Sequence, residues 1–227
     1  VIELDGVTVT VPGPDGDVRI LEETTLDLTE PRVALIGPNG SGKSTIARLV
    51  NGLVSPTTGR VRVGGLDVAN HGKEVRQRVG FVFTDPAAQL VMPTAVEDVA
   101  LSLRRLERDR RARRTAALAV LESYGLGHVA DHSVHTLSGG QRQLLALAGV
   151  LASAPSVLVA DEPTTLLDLR NARRIADLLF SLDQQLLLVT HDLDLAARCD
   201  RAIVVDEGRV VHDGPASLAV DHYRAMA

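Results

Sequence analysis

Apolar and polar residues alternate from Val1 to Val11, with Ile2, Leu4, Val7, Val9 and Val11 as the apolar positions. A turn is expected over Pro12 to Gly16, after which the alternation resumes from Val18 to Leu28, so the chain opens with antiparallel strands. Later apolar runs lack alternation: Val33 to Ile36, Val79 to Phe83, Val157 to Ala160, Leu186 to Val189 and Ala202 to Val205. Such runs suit a parallel sheet covered on both faces. Ile46 to Leu53 has helical spacing, Ser55 to Gly59 reads as a loop, and Val61 to Val63 as a short strand closed by Gly64-Gly65. A turn at Glu207-Gly208 leads to a return strand at Arg209 to Val211. From Ala87 to Ala152 the pattern is mostly helical, which predicts a helical lobe inserted between strands of the core. The expectation is one α/β domain over 1–227. Its core and small antiparallel β portion cover about 1–86 and 153–227, its helical lobe covers 87–152, and Asp221 to Ala227 forms a frayed or partner-contacting tail.

Between the strand at Val33 to Ile36 and the helix at Ile46 lies Gly37-Pro38-Asn39-Gly40-Ser41-Gly42-Lys43-Ser44-Thr45, which fits G-x-x-x-x-G-K-[ST]. Strand, glycine loop and helix in this order make a phosphate cradle. Gly40 and Gly42 let successive N–H groups turn inward, and the helix N-terminus adds partial positive charge. Lys43 is placed to reach β- and γ-phosphates, and the Ser44 hydroxyl to ligate Mg²⁺.

The run Val157 to Ala160 delivers Asp161 and Glu162 at a strand C-terminus, where open α/β sheets bind ligands. Two adjacent acids there divide the labour. Asp161 suits the oxygen shell of Mg²⁺, and Glu162 suits a water lined up on the γ-phosphate. Leu137-Ser138-Gly139-Gly140-Gln141 precedes an amphipathic helix with Leu144, Leu145, Leu147, Ala148, Val150 and Leu151. Ser138 is an N-cap, and the glycines expose amides at a positive helix end, a second anion site by the same physics.

Composition limits the alternatives. At 227 residues the chain buries a sizeable core, and its 45% hydrophobic content includes no uninterrupted run long enough to span a bilayer. A soluble chain is expected, and with no basic and apolar leader before Ile2, no export. The single cysteine, Cys199, reads as a small buried hydrophobe in a reducing compartment, cytoplasm by default. A net charge of -5 and only 2% aromatics argue against bulk nucleic-acid binding. The cluster Arg104, Arg105, Arg108, Arg110, Arg111, Arg113 and Arg114 is a solvated helix face, a neighbour of anionic lipid headgroups, or a nucleic-acid contact. His128, His132 and His135 have metal-compatible spacing, but without a nearby cysteine they are set aside.

GPNGSGKST, LSGGQ, the strand ending in Asp161-Glu162, Asp168 and His191 together resemble the ATP-binding cassette (ABC) ATPases, a P-loop NTPase fold, over nearly the whole chain. The resemblance implies ATP and Mg²⁺ as cofactors and ATP hydrolysis as the activity. It also implies a head-to-tail dimer with an identical or paralogous cassette, in which Ser138 and Gly140 contact the γ-phosphate held by the other cassette's Lys43, with Gly139 and Gln141 also among the nucleotide-binding residues. Asp168 matches the loop that communicates across that dimer. His191 matches the switch histidine at the γ-phosphate. Two positions depart from the pattern. Val11 stands where an adenine-stacking aromatic is usual, and Thr84 stands in place of the glutamine after the Val79 to Phe83 strand. Thr84 is expected on the metal side, with Gln89 facing a membrane partner.

The segment from Phe83 to Ala100, with Phe83-Thr84-Asp85-Pro86, resembles the coupling region of energy-coupling factor (ECF) importers, the biotin module most of all. That resemblance implies an integral membrane coupling subunit, a substrate-binding membrane subunit and a peripheral position at the cytoplasmic face of the membrane. Val91, Met92, Val96 and Val99 are the expected apolar contacts, unless they face the lobe's own core. The rivals are an ATPase for a cobalt, nickel or other importer, a soluble cassette working on nucleic acid or ribosomes, and a dimer that binds ATP and barely hydrolyses it.

Overall fold

A computed structural model describes residues 1–14 and 16–226. Asp15, within the expected turn, and Ala227, the end of the expected tail, lie outside the described residues. By contacts the chain divides into one unit of Val1–Val79, Ser156–Glu162 and Asp183–Ala227 and a second of Gly80–Pro155 and Pro163–Leu182.

The first unit holds two sheets. In one, β1 (Ile2–Gly13) pairs antiparallel with β2 (Gly16–Leu28) and with β4 (Thr58–Val63), and β4 pairs with β5 (Leu66–Asp67). The alternation in the sequence appears as burial: Ile2, Leu4, Val61 and Val63 are 2% exposed or less. In the other, β3 (Arg32–Ile36) runs parallel to both β8 (Gln185–Val189) and β9 (Arg201–Asp206), and β7 (Val157–Asp161) runs parallel to β8. The hairpin partner of β9 is β10 (Arg209–Pro215), joined through Glu207-Gly208. The central strands are buried on both faces, as their unbroken apolar runs require.

Helix α1 (Lys43–Asn51) leaves the loop after β3 and buries Ile46, Leu49 and Val50 completely. At roughly 1.5–3 kcal/mol per buried aliphatic side chain, this face fixes the loop to the sheet. The short α2 (Gly72–Arg78) leads to β6 (Val79–Val82), which straddles the boundary between the units. The second unit contains α3 (Ala95–Ser102), a 3₁₀ turn at Leu103–Arg105, α4 (Arg110–Ser123), α5 (Gly139–Leu151) and α6 (Leu169–Ser181). Its core is built from Val96, Val99, Leu121, Leu126, Leu145 and Leu147.

The sequence boundaries put 163–182 with the core, whereas contacts group it with the helices, where α6 packs on α5. In the first unit a short α7 (Leu193–Ala196) precedes β9. From Asp221 to Met226 the expected frayed or partner-contacting tail is the helical end of α8 (Ala216–Met226) and stays largely exposed, while the start of that helix buries Ala216, Ala219 and Val220 where it packs on β9 and β3. Three small or apolar residues at positions one, four and five of the helix make that stripe. Among the described residues no helix is long and apolar enough to cross a membrane.

Candidate functional site

The loop from Gly37 to Thr45 joins β3 to α1 at the C-terminal edge of the parallel sheet. Gly37 has φ +141°, and a Cβ there would run into the main-chain carbonyl of Val205 on β9. Gly42 enters α1 in the left-handed region, and no side chain caps the helix. The first-turn amides therefore have no side-chain acceptor, and the helix dipole favours an anion in front of them. Ser41 Oγ is buried and without a hydrogen-bond partner among the described residues. Lys43, 6% exposed, donates from Nζ to the carbonyls of Gly37 at 2.8 Å and Pro38 at 2.7 Å. Burial pulls its pKa below the ordinary lysine value, against the attraction of Glu162 and Asp161. Pro38, Asn39 and Gly40 are exposed at the loop tip, and Thr45 is half-buried in the first turn of α1.

At the end of β7, Asp161 is 2% exposed and accepts from Ser44 Oγ at 2.9 Å, with the Arg48 guanidinium at 3.8 Å. Burial raises its pKa, and the Ser44 hydroxyl and Arg48 only partly offset this. A half-buried hydroxyl and a buried carboxylate, both hard oxygen donors, fit Mg²⁺, and a cation there would relieve the desolvated charge. Glu162 follows in the left-handed region with φ +52°, held by its amide to the Val189 carbonyl at 2.9 Å. A non-glycine residue in that conformation costs about 1 kcal/mol or more, and such strain concentrates at functional sites. Glu162 Oε2 lies 2.8 Å from Nδ1 of His191, just past the end of β8. The sequence reading gave these two residues separate tasks and did not foresee the pair.

The remaining candidates lie in the second unit. Ser138 caps α5 in a reciprocal box: its hydroxyl accepts from the Gln141 amide at 3.2 Å, while Gln141 Oε1 accepts from the Ser138 amide at 2.9 Å. Gly139 and Gly140 begin α5, and a Cβ on Gly140 would collide with the Asn171 side chain of α6. Asp168 caps α6, accepting from Asn171 N at 2.9 Å and from Asn171 Nδ2 at 2.6 Å, and these bonds hold its carboxyl below the usual range. Thr84 follows β6 and is half-buried.

Two expectations are corrected. Gln89 faces inward: its Oε1 accepts from Phe83 N at 3.2 Å and its Nε2 donates to Ala146 O at 3.4 Å. The carboxamide is engaged by backbone groups after β6 and in α5, so it is not presented to a partner. Val96 and Val99, 1% and 0% exposed, belong to the core of the helical unit, leaving Val91 at 68% and half-buried Met92 on the surface. The helical period of α3 turns both valines inward. Asp98, also buried, accepts the amides of Val91 and Met92 at 2.9 and 3.0 Å and so ties that loop to α3. Val11 is 40% exposed, opposite Val18 on β2. Among the described residues His128, His132 and His135 do not come together in a metal-binding group.

The ABC transporter family profile matches residues 22–165. A putative ABC transporter ATP-binding protein of Bartonella henselae is 43% identical over 223 residues, 98% of this chain and 97% of that protein. The biotin transport ATP-binding protein BioM of Rhizobium etli is 42% identical over 207 residues, 91% of this chain and 92% of that protein. Among solved structures, a dimeric, post-hydrolysis ATP-binding cassette bound to ADP and Pi superposes with TM-score 0.85 at 31% identity, covering 95% of this chain and 99% of that one. A cradle whose buried lysine and aspartate and half-buried serine suit phosphate and Mg²⁺ thus sits in a chain that matches ATP-binding cassettes along nearly all its length. It belongs to the ABC transporter family as an ATP-hydrolysing subunit that binds ATP with Mg²⁺.

Proposed function

We propose that this chain energises an ECF-type importer of a vitamin, biotin by preference, from the cytoplasmic face of the membrane. The observation that carries this reading is the Phe83 to Ala100 segment, and the similarity to a biotin transport ATP-binding protein supports it. In this reading the pathway and the substrate site belong to separate membrane subunits, and among the described residues of this chain no helix is long and apolar enough to cross a membrane.

In this reading the amides of Gly37 to Thr45 enclose the phosphates, and the Lys43 ammonium moves from the carbonyls of Gly37 and Pro38 to phosphate oxygens. Ser44 and Asp161 hold Mg²⁺, with Thr84 assigned to the metal side on the sequence pattern alone. Magnesium supplies positive charge for the phosphate oxygens. Glu162 orients the attacking water and accepts its proton, and His191 holds the Glu162 carboxylate in place and reaches the γ-phosphate. Ser138 to Gln141 serve the nucleotide of a partner cassette, identical or paralogous, and Asp168 couples the two cassettes. ATP then joins two cassettes, and loss of the γ-phosphate releases them.

Affinity purification of the tagged chain from its own host's membranes in mild detergent tests the reading. Two integral membrane proteins, one retaining biotin or another small vitamin, are expected to co-purify. Recovery from the soluble fraction alone, or with nucleic acid, would overturn it.

A further inference from the structure

One cleft of the helical unit is lined by Arg104, Arg110 and Arg111, exposed arginines without a protein acceptor among the described residues. The cleft bounded by α3, the Leu103–Arg105 turn and α4 has a volume of ≈ 570 Å³ and an apolar side made by Met92, Val96, Ala100 and Leu101. Its other side is cationic. Arg114 is paired with Asp131 at 2.6 Å, and Arg113 donates to the carbonyls of Glu107 and Arg108. Arg104, Arg110 and Arg111 are exposed, and no hydrogen bond or ion pair engages their guanidinium groups among the described residues. Among the described residues the one carboxylate in the lining, Glu97, accepts from Thr94 Oγ1 at 2.8 Å.

Two features make this arrangement costly unless an anion meets it. Arg110, Arg111, Arg113 and Arg114 occupy the first turn and a half of α4, where the one carboxylate is that of the N-cap, Asp109, which accepts from Ala112 N at 2.8 Å, so four cations outnumber it at the helix start. Cations at a helix N-terminus oppose the macrodipole, and a local rule broken in this way marks function more often than packing. Large apolar side chains also stand in water around the cleft: Leu101 is 41% exposed, Leu106 is 65% exposed, and Val91, next to Met92, is 68% exposed. Guanidinium groups interleaved with exposed aliphatic side chains match a lipid interface, where one component meets phosphate and the other acyl chain. A free anion would leave the leucines without a role.

We propose that this cleft and its rim dock the helical unit onto an anionic phospholipid surface, with headgroup phosphates on Arg104, Arg110 and Arg111. The setting rests on the membrane reading above, but the attraction is local to the patch. With a net charge of -5 the whole molecule is repelled by an anionic bilayer, and screening within about 8–10 Å leaves the near-surface arginines to decide the outcome.

The test is co-sedimentation of the full chain with phosphatidylcholine vesicles with and without phosphatidylglycerol. Binding only to the phosphatidylglycerol vesicles, weakened by salt, is expected. At about fivefold per arginine, the triple variant Arg104→Gln, Arg110→Gln, Arg111→Gln should bind on the order of a hundredfold more weakly. All three side chains are exposed and outside the nucleotide site, so ATP turnover in solution should be unchanged and reports that the variant is folded. Equal binding to both vesicle types, or undiminished binding by the triple variant, overturns the inference. So does complete competition by inorganic phosphate, which assigns the cleft to a free anion, or capture through these arginines of a membrane protein in detergent without vesicle binding. Any of these results with co-purifying membrane subunits leaves the proposed function standing, and loss of those subunits with intact vesicle binding defeats only that function.

Discussion

Gly140 has a packing duty besides any duty toward nucleotide. Its hydrogen faces the Asn171 carboxamide, which is itself bonded to Asp168. Gly140→Ala must push Asn171 off Asp168, so a loss of about 1–2 kcal/mol in unfolding free energy is expected. Adding Asn171→Ala makes room for the new methyl, and the double variant should be no less stable than Asn171→Ala alone. Urea unfolding of the four proteins checks this, since strict additivity would mean that the two residues do not share the space. At this scale the sequence was informative where a residue's own backbone states the requirement. Gly37 and Gly42 adopt conformations other residues resist, so the phosphate loop is legible from spacing alone. The Glu162–His191 contact joins residues 29 apart just past the ends of different strands, and the inward turn of Gln89 depends on where the fold brings Phe83 and Ala146. Neither is encoded in a local pattern.

Among the elements, the joint between β9, β10 and the end of β2 turns on Arg201. Its guanidinium meets both oxygens of Asp213 at 2.6 Å, Glu30 Oε2 at 3.1 Å and the Asp27 carbonyl at 2.8 Å. Arg201→Ala leaves two half-buried carboxylates without their cation, an expected cost of about 2 kcal/mol at neutral pH. Burial by itself would raise the Glu30 pKa, but main-chain donors and Arg201 outweigh it and hold the carboxyl below its ordinary value. The resulting stability is present above the unfolded glutamate pKa of about 4.3 and is lost as pH falls through the lower folded value. The gap between the wild type and the variant should therefore narrow when unfolding is measured below that pH. A constant gap would mean that Arg201 acts through packing alone.

The strands were legible as elements because burial on one face or two leaves period-two alternation or an unbroken apolar run. Helices α6 and α8 were not. α6 buries only Ile175, Ala176 and Leu179 behind a polar face rich in arginine, and α8 buries two alanines and a valine. Stripes so narrow emerge only when the surface they pack against is known. Val96 and Val99 show the same limit, because exposure cannot be assigned to an apolar residue before the core is placed.

At the scale of the whole molecule, two units share the chain's tasks. The first carries the phosphate loop, Asp161 and the Glu162–His191 pair, and the second carries the Ser138 cap and the surface around α3 and α4. Under the proposed function a partner cassette brings these tasks together, and hydrolysis is coupled to membrane subunits. The measurement that tests this most directly is ATP turnover by the complex purified through a tag on this chain, with either the native residue or Glu162→Gln. Glutamine keeps the shape but cannot take a proton, so turnover should fall by about a hundredfold or more while ATP binding and the co-purifying membrane subunits are retained. Turnover within twofold of the unmodified complex would contradict the account.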